Sequence, residues 1–247
     1  MNSSYHYLFG PVLSRRLGIS LGVDFIPYKT CNYDCVYCER NATTDMSIIR
    51  REFVPPKDII SELDRFLATH PHLDYITFSG SGEPTLYTGI GVIARTIKTV
   101  HPDYQVALIT NGSLFSDPAV RQDVLFCDVI IPSLDAATNE VFAKINKPHP
   151  SITTEMVISG LEALRDEFKG KIWLEIFIIL DLNDSLDEIQ KLHDAILRIR
   201  PDKVQLNTLD RPGAEAWIQP ATERHLKDIA AQLDYPSVEI IHALGSQ

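Results

Sequence analysis

Long apolar runs are missing from this chain of 247 residues. No stretch of 18 or more apolar residues occurs, so no membrane span is expected. The opening residues, Met1-Asn2-Ser3-Ser4-Tyr5-His6-Tyr7, show no charged segment followed by an apolar one. No secretory leader is read there, and the expected location is cytoplasmic. Cysteine is scarce: four in all, three of them within eight residues and Cys127 alone. That distribution does not make a disulfide framework. A basic excess is missing too. The net charge of −10 argues against a broad, sequence-independent nucleic-acid surface. The charge is uneven, with +2 over residues 1–51 and −12 over the remainder, so a mildly basic end sits on an acidic body. Repeats, low-complexity tracts and linkers are absent. One domain over 1–247 is the expectation at this length, with apolar material enough for a large core.

What stands out is Cys31-Asn32-Tyr33-Asp34-Cys35-Val36-Tyr37-Cys38. Three thiolates this close together suit one soft metal centre, iron–sulfur or zinc. Three is one short of a closed tetrahedral set, which leaves a coordination position for something else or for a distant histidine. His6, His70, His72, His101, His193, His225 and His242 form no ligand spacing of their own. Cys127, just before an apolar strand, reads as a small buried hydrophobe.

The rest of the chain alternates strands and helices. Residues 1–18 are turn-rich and read as irregular, and residues 19–26 read as a strand ended by Pro27. Further strands are expected over 75–78, 105–109, 129–134, 172–180, 203–209 and 238–241. Helices are expected over 57–69, 89–100, 117–124, 138–145, 153–168, 185–199 and 222–233. About six β-α units with nearly continuous apolar strands mean an α/β fold, a parallel sheet covered by helices. Pattern alone does not separate a doubly wound sheet from a barrel. The first strand lacks a Gly-x-Gly-x-x-Gly turn, which counts against a dinucleotide-binding sheet. In either architecture the active site forms at the C-terminal strand ends. Those ends carry the three cysteines, Gly80–Glu83, Thr110–Asn111, Ser133–Asp135, Asp181–Asn183 and Asn207–Asp210. Six polar ends on one rim point to a small-molecule pocket beside a metal centre.

These residues resemble the radical S-adenosylmethionine (radical SAM) superfamily. Its signature, Cys-x3-Cys-x-aromatic-Cys, follows the first strand of a partial (βα)6 TIM-type barrel. Tyr37 stands at the aromatic position, and Ser81-Gly82-Glu83-Pro84 matches the Gly-Gly-Glu-Pro region with a serine first. The stretches 10–18, 78–85, Asn146-Lys147-Pro148-His149-Pro150 and 204–212 look like one Fe–S oxidoreductase branch, itself described as similar to wybutosine-type tRNA-modifying enzymes. That link is a fold-level analogy. Members of the branch commonly run longer at the C-terminus, so the resemblance implies a minimal or truncated form, with the partial barrel over 19–241.

The resemblance implies a [4Fe–4S] cluster on Cys31, Cys35 and Cys38, its fourth iron open to the amino and carboxylate groups of S-adenosylmethionine (SAM). An external reductant of flavodoxin or ferredoxin type would supply one electron. Reductive cleavage would then give a 5′-deoxyadenosyl radical that takes hydrogen from a substrate, an RNA base or a nucleotide-linked molecule. A glycyl-radical activase acting on a protein is the alternative, and a noncatalytic metal-binding module is a second. No other cysteine-rich motif is present, so no auxiliary cluster is expected. By position, Gly80, Ser81 and Gly82 would approach the methionine moiety and Glu83 would receive the ammonium, unless Glu83 is an N-cap. Ser133 and Asp135 would meet the ribose, unless Asp135 caps the next helix. Tyr37 would meet adenine or fill core. Thr110, Asn111 and Asn183 are further pocket candidates. Arg15, Arg16, Lys29, Arg40, His149, Asp210 and Arg211 are substrate candidates, cations among them suited to phosphate or carboxylate.

Overall fold

The computed structural model describes residues 5–242. The two ends of the expected 1–247 domain, residues 1–4 and 243–247, lie outside the described residues. Among the described residues, ten strands and seven α-helices follow in chain order. They are β1 (Leu8–Ser14), β2 (Gly18–Val23), β3 (Thr30–Cys31), β4 (Asp45–Met46), α1 (Pro56–Leu67), β5 (Tyr75–Phe78), α2 (Ile90–Val100), β6 (Val106–Thr110), α3 (Pro118–Val124), β7 (Val129–Pro132), α4 (Asn139–Ile145), α5 (Thr154–Glu167), β8 (Lys171–Phe177), α6 (Leu186–Ile199), β9 (Lys203–Asn207), α7 (Glu223–Leu233) and β10 (Val238–Ile240). Five of these seven helices start on a side-chain cap. Asp117, Thr138, Thr153, Ser185 and Thr222 each accept a first-turn N–H of α3, α4, α5, α6 and α7.

The main sheet has the order β1-β2-β5-β6-β7-β8-β9-β10, and every pair from β2 onward is parallel. This order decides what periodicity left open. A doubly wound sheet reverses direction at a switch point. Here each new strand adds on the same side of the last, so right-handed crossovers carry all the helices to one face. The result is a partial barrel, open between β1 and β10.

The two faces of the strands differ. Leu21, Val23, Ile76, Phe78, Leu108, Ile130, Leu174, Ile176, Val204 and Leu206 form one apolar layer with buried residues of the helices. The alternate positions point inward. Near the base they are apolar, with Leu17 against Ala107, Val129 and Ile131. Others are polar: Ser20, Thr77, Glu175, Gln205 and Asn207 are all buried.

The expectation of an irregular segment over residues 1–18 is corrected. Leu8–Ser14 is a strand, antiparallel to β2, with Leu8 opposite Val23 and Ser14 opposite Gly18. Gly10 and Pro11 signal a turn in sequence, but an edge strand tolerates proline because its missing N–H has no ladder partner to lose. The strand expected over 172–180 ends at Phe177, because the Asn183 side-chain carbonyl takes the Ile179 N–H.

Candidate active site

The cysteine loop leaves the top of β2 and is closed by the short parallel pair β3–β4. It is stitched to the end of α4, since Val36 N–H donates to the Ile145 carbonyl at 2.9 Å and Asp34 N–H to that of Asn146 at 2.9 Å. This brings Cys31, Cys35 and Cys38 to one cavity of about 410 Å³, shared with Tyr33, Tyr37, Gly80, Gly82, Glu83, Thr110, Asn111 and Ser133. Each sulfur has its own donor. Tyr33 N–H lies 3.5 Å and the Asn111 amide 3.8 Å from Cys31 Sγ. The Asn146 amide is 3.4 Å from Cys35 Sγ, and Lys29 Nζ is 3.3 Å from Cys38 Sγ. Such donors are what tune thiolate-held metal centres.

Among the described residues no three His, Cys, Asp or Glu side chains are grouped to hold a single metal ion. A cluster asks for something else, one cysteine on each of three irons. The chemistry of the cavity fits it. The Tyr33 hydroxyl and Asn146 Oδ1 are buried without a protein partner, and Tyr33 lines the cavity. Those two atoms are sealed from the cavity space, and the fit rests on the sulfurs, each of which has a hydrogen-bond donor of the kind that thiolate and cluster sulfur accept. Burial pushes the Cys31 thiol up to about 12 and raises Cys35 as well. A bound cation reverses that preference, because coordination deprotonates a thiol.

Comparison with known proteins agrees with this geometry. The profile of the Radical SAM superfamily matches residues 25–196. The chain belongs to the radical SAM superfamily. It is 38% identical over 239 residues to a Brachyspira hyodysenteriae protein named GTPase Obg, covering 94% of this chain and 35% of that one. It is 36% identical over 214 residues to a UPF0026 protein of Methanocaldococcus jannaschii, covering 86% and 66%. It is 28% identical over 192 residues to the GTP 3′,8-cyclase of Nautilia profundicola, covering 75% and 56%. The chain thus spans between a third and two thirds of the length of these relatives. Two solved folds superpose well. SuiB of Streptococcus suis bound to S-adenosylmethionine has a TM-score of 0.63 at 15% identity, covering 87% of this chain and 48% of that one. Archaeal TYW1 has a TM-score of 0.55 at 17% identity, covering 88% and 72%.

Within this radical SAM fold, several expected ligand residues are heavily engaged with the protein itself. Glu83 is buried, and Oε1 accepts from Thr85 N–H, Thr85 Oγ1 and Thr110 Oγ1, while Oε2 accepts from Asn111 N–H. It is therefore a cap, as the alternative reading had it, and Oε2 keeps spare acceptor capacity. Burial raises its pKa against those donors. A Cβ on Gly82 would strike the Thr30 carbonyl, and one on Gly80, at φ +147°, would strike the Asp24 carboxylate. The close approach that these glycines permit is to the cysteine loop's own backbone and to Asp24, which also accepts the Ser81 hydroxyl at 2.5 Å.

Asp135 does not cap α4; Thr138 does. Asp135 is buried and accepts from Tyr37 Oη at 2.5 Å, Asn146 Nδ2 at 2.7 Å and Phe177 N–H at 2.8 Å. Burial holds its pKa up. Tyr37 lies flat on Phe177, centroids 4.0 Å apart, and its ring borders the cysteine cavity. Asn183 is fully buried, and its amide joins the Asp135 and Phe177 carbonyls. It braces the floor without lining the cavity.

A second cavity of about 400 Å³ adjoins the first and shares Phe9, Glu39, Arg40, Ser79 and Ile109 with it. Arg15, Arg40 and Arg211 border it. Arg15 pairs with Asp210 at 3.7 Å and Arg211 with Glu39 at 3.5 Å. Arg40 has no side-chain partner among the described residues. Of the other substrate candidates, Arg16 pairs with Glu175 inside the barrel, and burial lowers its pKa to about 10. Lys29 turns to the cysteines. His149 borders a separate surface groove with Pro148 and Pro150 and bonds Ser151. Sequence reasoning assigned no role to Phe9, Tyr33, Asn146 or Glu175. Asn146 had a weak signal, an asparagine just past a helix end. The others reach the site only through tertiary pairing.

Proposed function

We propose that this radical SAM protein holds a [4Fe–4S] cluster on Cys31, Cys35 and Cys38 and acts on a nucleotide-linked substrate. The bound cluster would supply one electron to SAM, giving a 5′-deoxyadenosyl radical that takes hydrogen from the substrate. The carrying observation is the pair of adjoining cavities, one lined by the three cysteines and the other by arginines.

The chain's own groups then have distinct tasks. Tyr33 N–H and the Asn111 and Asn146 amides orient and hydrogen-bond the sulfurs. Glu83 Oε2 takes an ammonium from the cosubstrate, and Ser133, lining the same cavity, offers a hydroxyl. Phe9 and Ile109, common to both cavities, give an apolar border to the passage where hydrogen would move. Arg40 grips an anionic group, bidentate in the manner of guanidinium on phosphate. The nucleotide reading gains support from the relative named GTP 3′,8-cyclase. GTP hydrolysis gains none, since the sequence has no Gly-x4-Gly-Lys-Ser/Thr stretch.

Anaerobic reconstitution tests the proposal. The expected product is a brown protein with about four irons per chain that releases 5′-deoxyadenosine from SAM with dithionite, faster when the right nucleotide is present. A colourless zinc protein that leaves SAM intact would sink it. Stimulation by a polypeptide and by no nucleotide would move the substrate to the activase class.

A further inference from the structure

Lys29 is anomalous for its surroundings. It is 3% exposed, and lysine is almost never so buried unless its charge is paired. Among the described residues no carboxylate lies within ion-pair reach of it. The partner of its ammonium is Cys38 Sγ at 3.3 Å. The backbone adds an independent observation. Lys29 has φ 57°, the left-handed region where a side chain is disfavoured and glycine is at ease. That conformation is pinned from two loops. Its N–H donates to the Ser81 carbonyl at 2.8 Å, and its carbonyl accepts from Thr44 and Asp45 N–H, each at 3.1 Å. A lysine held in strained backbone, with its charge buried on a sulfur, serves that sulfur.

The three sulfurs are not treated alike. Cys31 and Cys35 receive neutral donors, from a backbone N–H and side-chain amides. Cys38 alone of the three receives an ammonium. We propose that Lys29 is the fixed counter-charge of the cysteine-held cluster and raises its reduction potential through Cys38. The proposal rests on the cluster assigned above. Reduction brings in one electron from the external reductant and makes or breaks no bond. The centre gains one negative charge, and a cation this near, in a poorly screened interior, favours the more negative state. Lys29 is then a positioning residue that acts through a ligand. It is not the substrate grip that its charge and rim position suggest.

The test compares reconstituted parent, Lys29→Gln and Lys29→Arg in redox titrations followed by the paramagnetic signal of the reduced cluster. Lys29→Gln is expected to need a tenfold more reducing poise, about 59 mV for a one-electron couple, while Lys29→Arg stays close to the parent. A folded Lys29→Gln that takes up no iron beside a fully loaded Lys29→Arg also supports the counter-charge. An unchanged potential in Lys29→Gln overturns it, and with a loss of SAM affinity it reassigns Lys29 to the cosubstrate. Failure of both variants alike, in folding or in iron uptake, assigns Lys29 to packing and overturns it as well. A parent that loads no iron overturns the proposed function and this inference with it; a loaded parent with an unmoved Lys29→Gln overturns the inference alone.

Discussion

The two faces of one sheet have opposite characters. On β8, Ile172, Leu174 and Ile176 go outward into the layer shared with the helices, while Trp173, Glu175 and Phe177 go inward. The outward set is apolar throughout. The inward set holds a carboxylate paired with Arg16 and the ring that carries Tyr37. A strand with period 2 can meet both demands at once, and a slip of one residue would exchange them. The comparison teaches that stability and chemistry are assigned to alternate residues of the same strands. Substitutions one residue apart should therefore fail in different ways.

The sharpest break is at the rim. Cys35→Ala should reduce iron uptake and 5′-deoxyadenosine release below detection while the protein still unfolds cooperatively, as iron analysis, chromatography of the nucleoside and denaturant titration would show. A retained brown cluster would remove the inner face's claim to the chemistry. Next comes the buried pair. Glu175→Ala leaves Arg16 uncompensated inside the barrel and should cost about 3–5 kcal/mol in urea unfolding. Arg16→Met combined with Glu175→Leu should recover most of that loss. If the single change costs nothing, the inner face is wetter than its burial indicates.

One residue away, Leu174→Ala should cost about 2–5 kcal/mol through lost burial and a cavity. At a temperature where the variant is folded, SAM binding by calorimetry should match the parent. A large change in SAM affinity would show that the two faces are not independent. The smallest effect lies outside both faces, where Arg198 on α6 bonds Glu155 of α5. That hydrogen bond, with one from Ser159, lowers the Glu155 pKa from 4.5 to about 2. A depressed carboxylate stabilises above its unfolded pKa and loses that contribution as pH falls through the folded one. Glu155→Gln should therefore lower stability near pH 7, and the difference should close between about pH 4.5 and pH 2. Solvent screening keeps the effect below about 1 kcal/mol. Thermal melts across that range would check the sign.

Much of this was legible in the chain. The helices lie within a residue or two of where apolar spacing puts them, because that periodicity is a local property of the chain. Of the polar strand ends, those after β5, β6 and β7 share a cavity with the three cysteines, while 181–183 and 207–210 do not line it. The hairpin strand β1 was not legible, because its Gly10 and Pro11 carry the same signal in a turn as on an edge. Which of its two readings Glu83 would take, and the tasks of Asp135 and Asn183, were not legible either. An acid or amide at a strand end has the same appearance whether it faces a ligand or a neighbouring loop, and only packing distinguishes the two.

By itself the sequence determined an α/β chain with a three-cysteine loop past its first parallel strand, since periodicity and ligand spacing are local properties. Only the tertiary structure decided that the sheet winds one way without reversal, and that Leu17 and a buried Arg16–Glu175 pair sit on its inner face. Only it showed that Lys29 spends its charge on a cysteine. Those depend on contacts between residues far apart in the chain, and no local pattern records them.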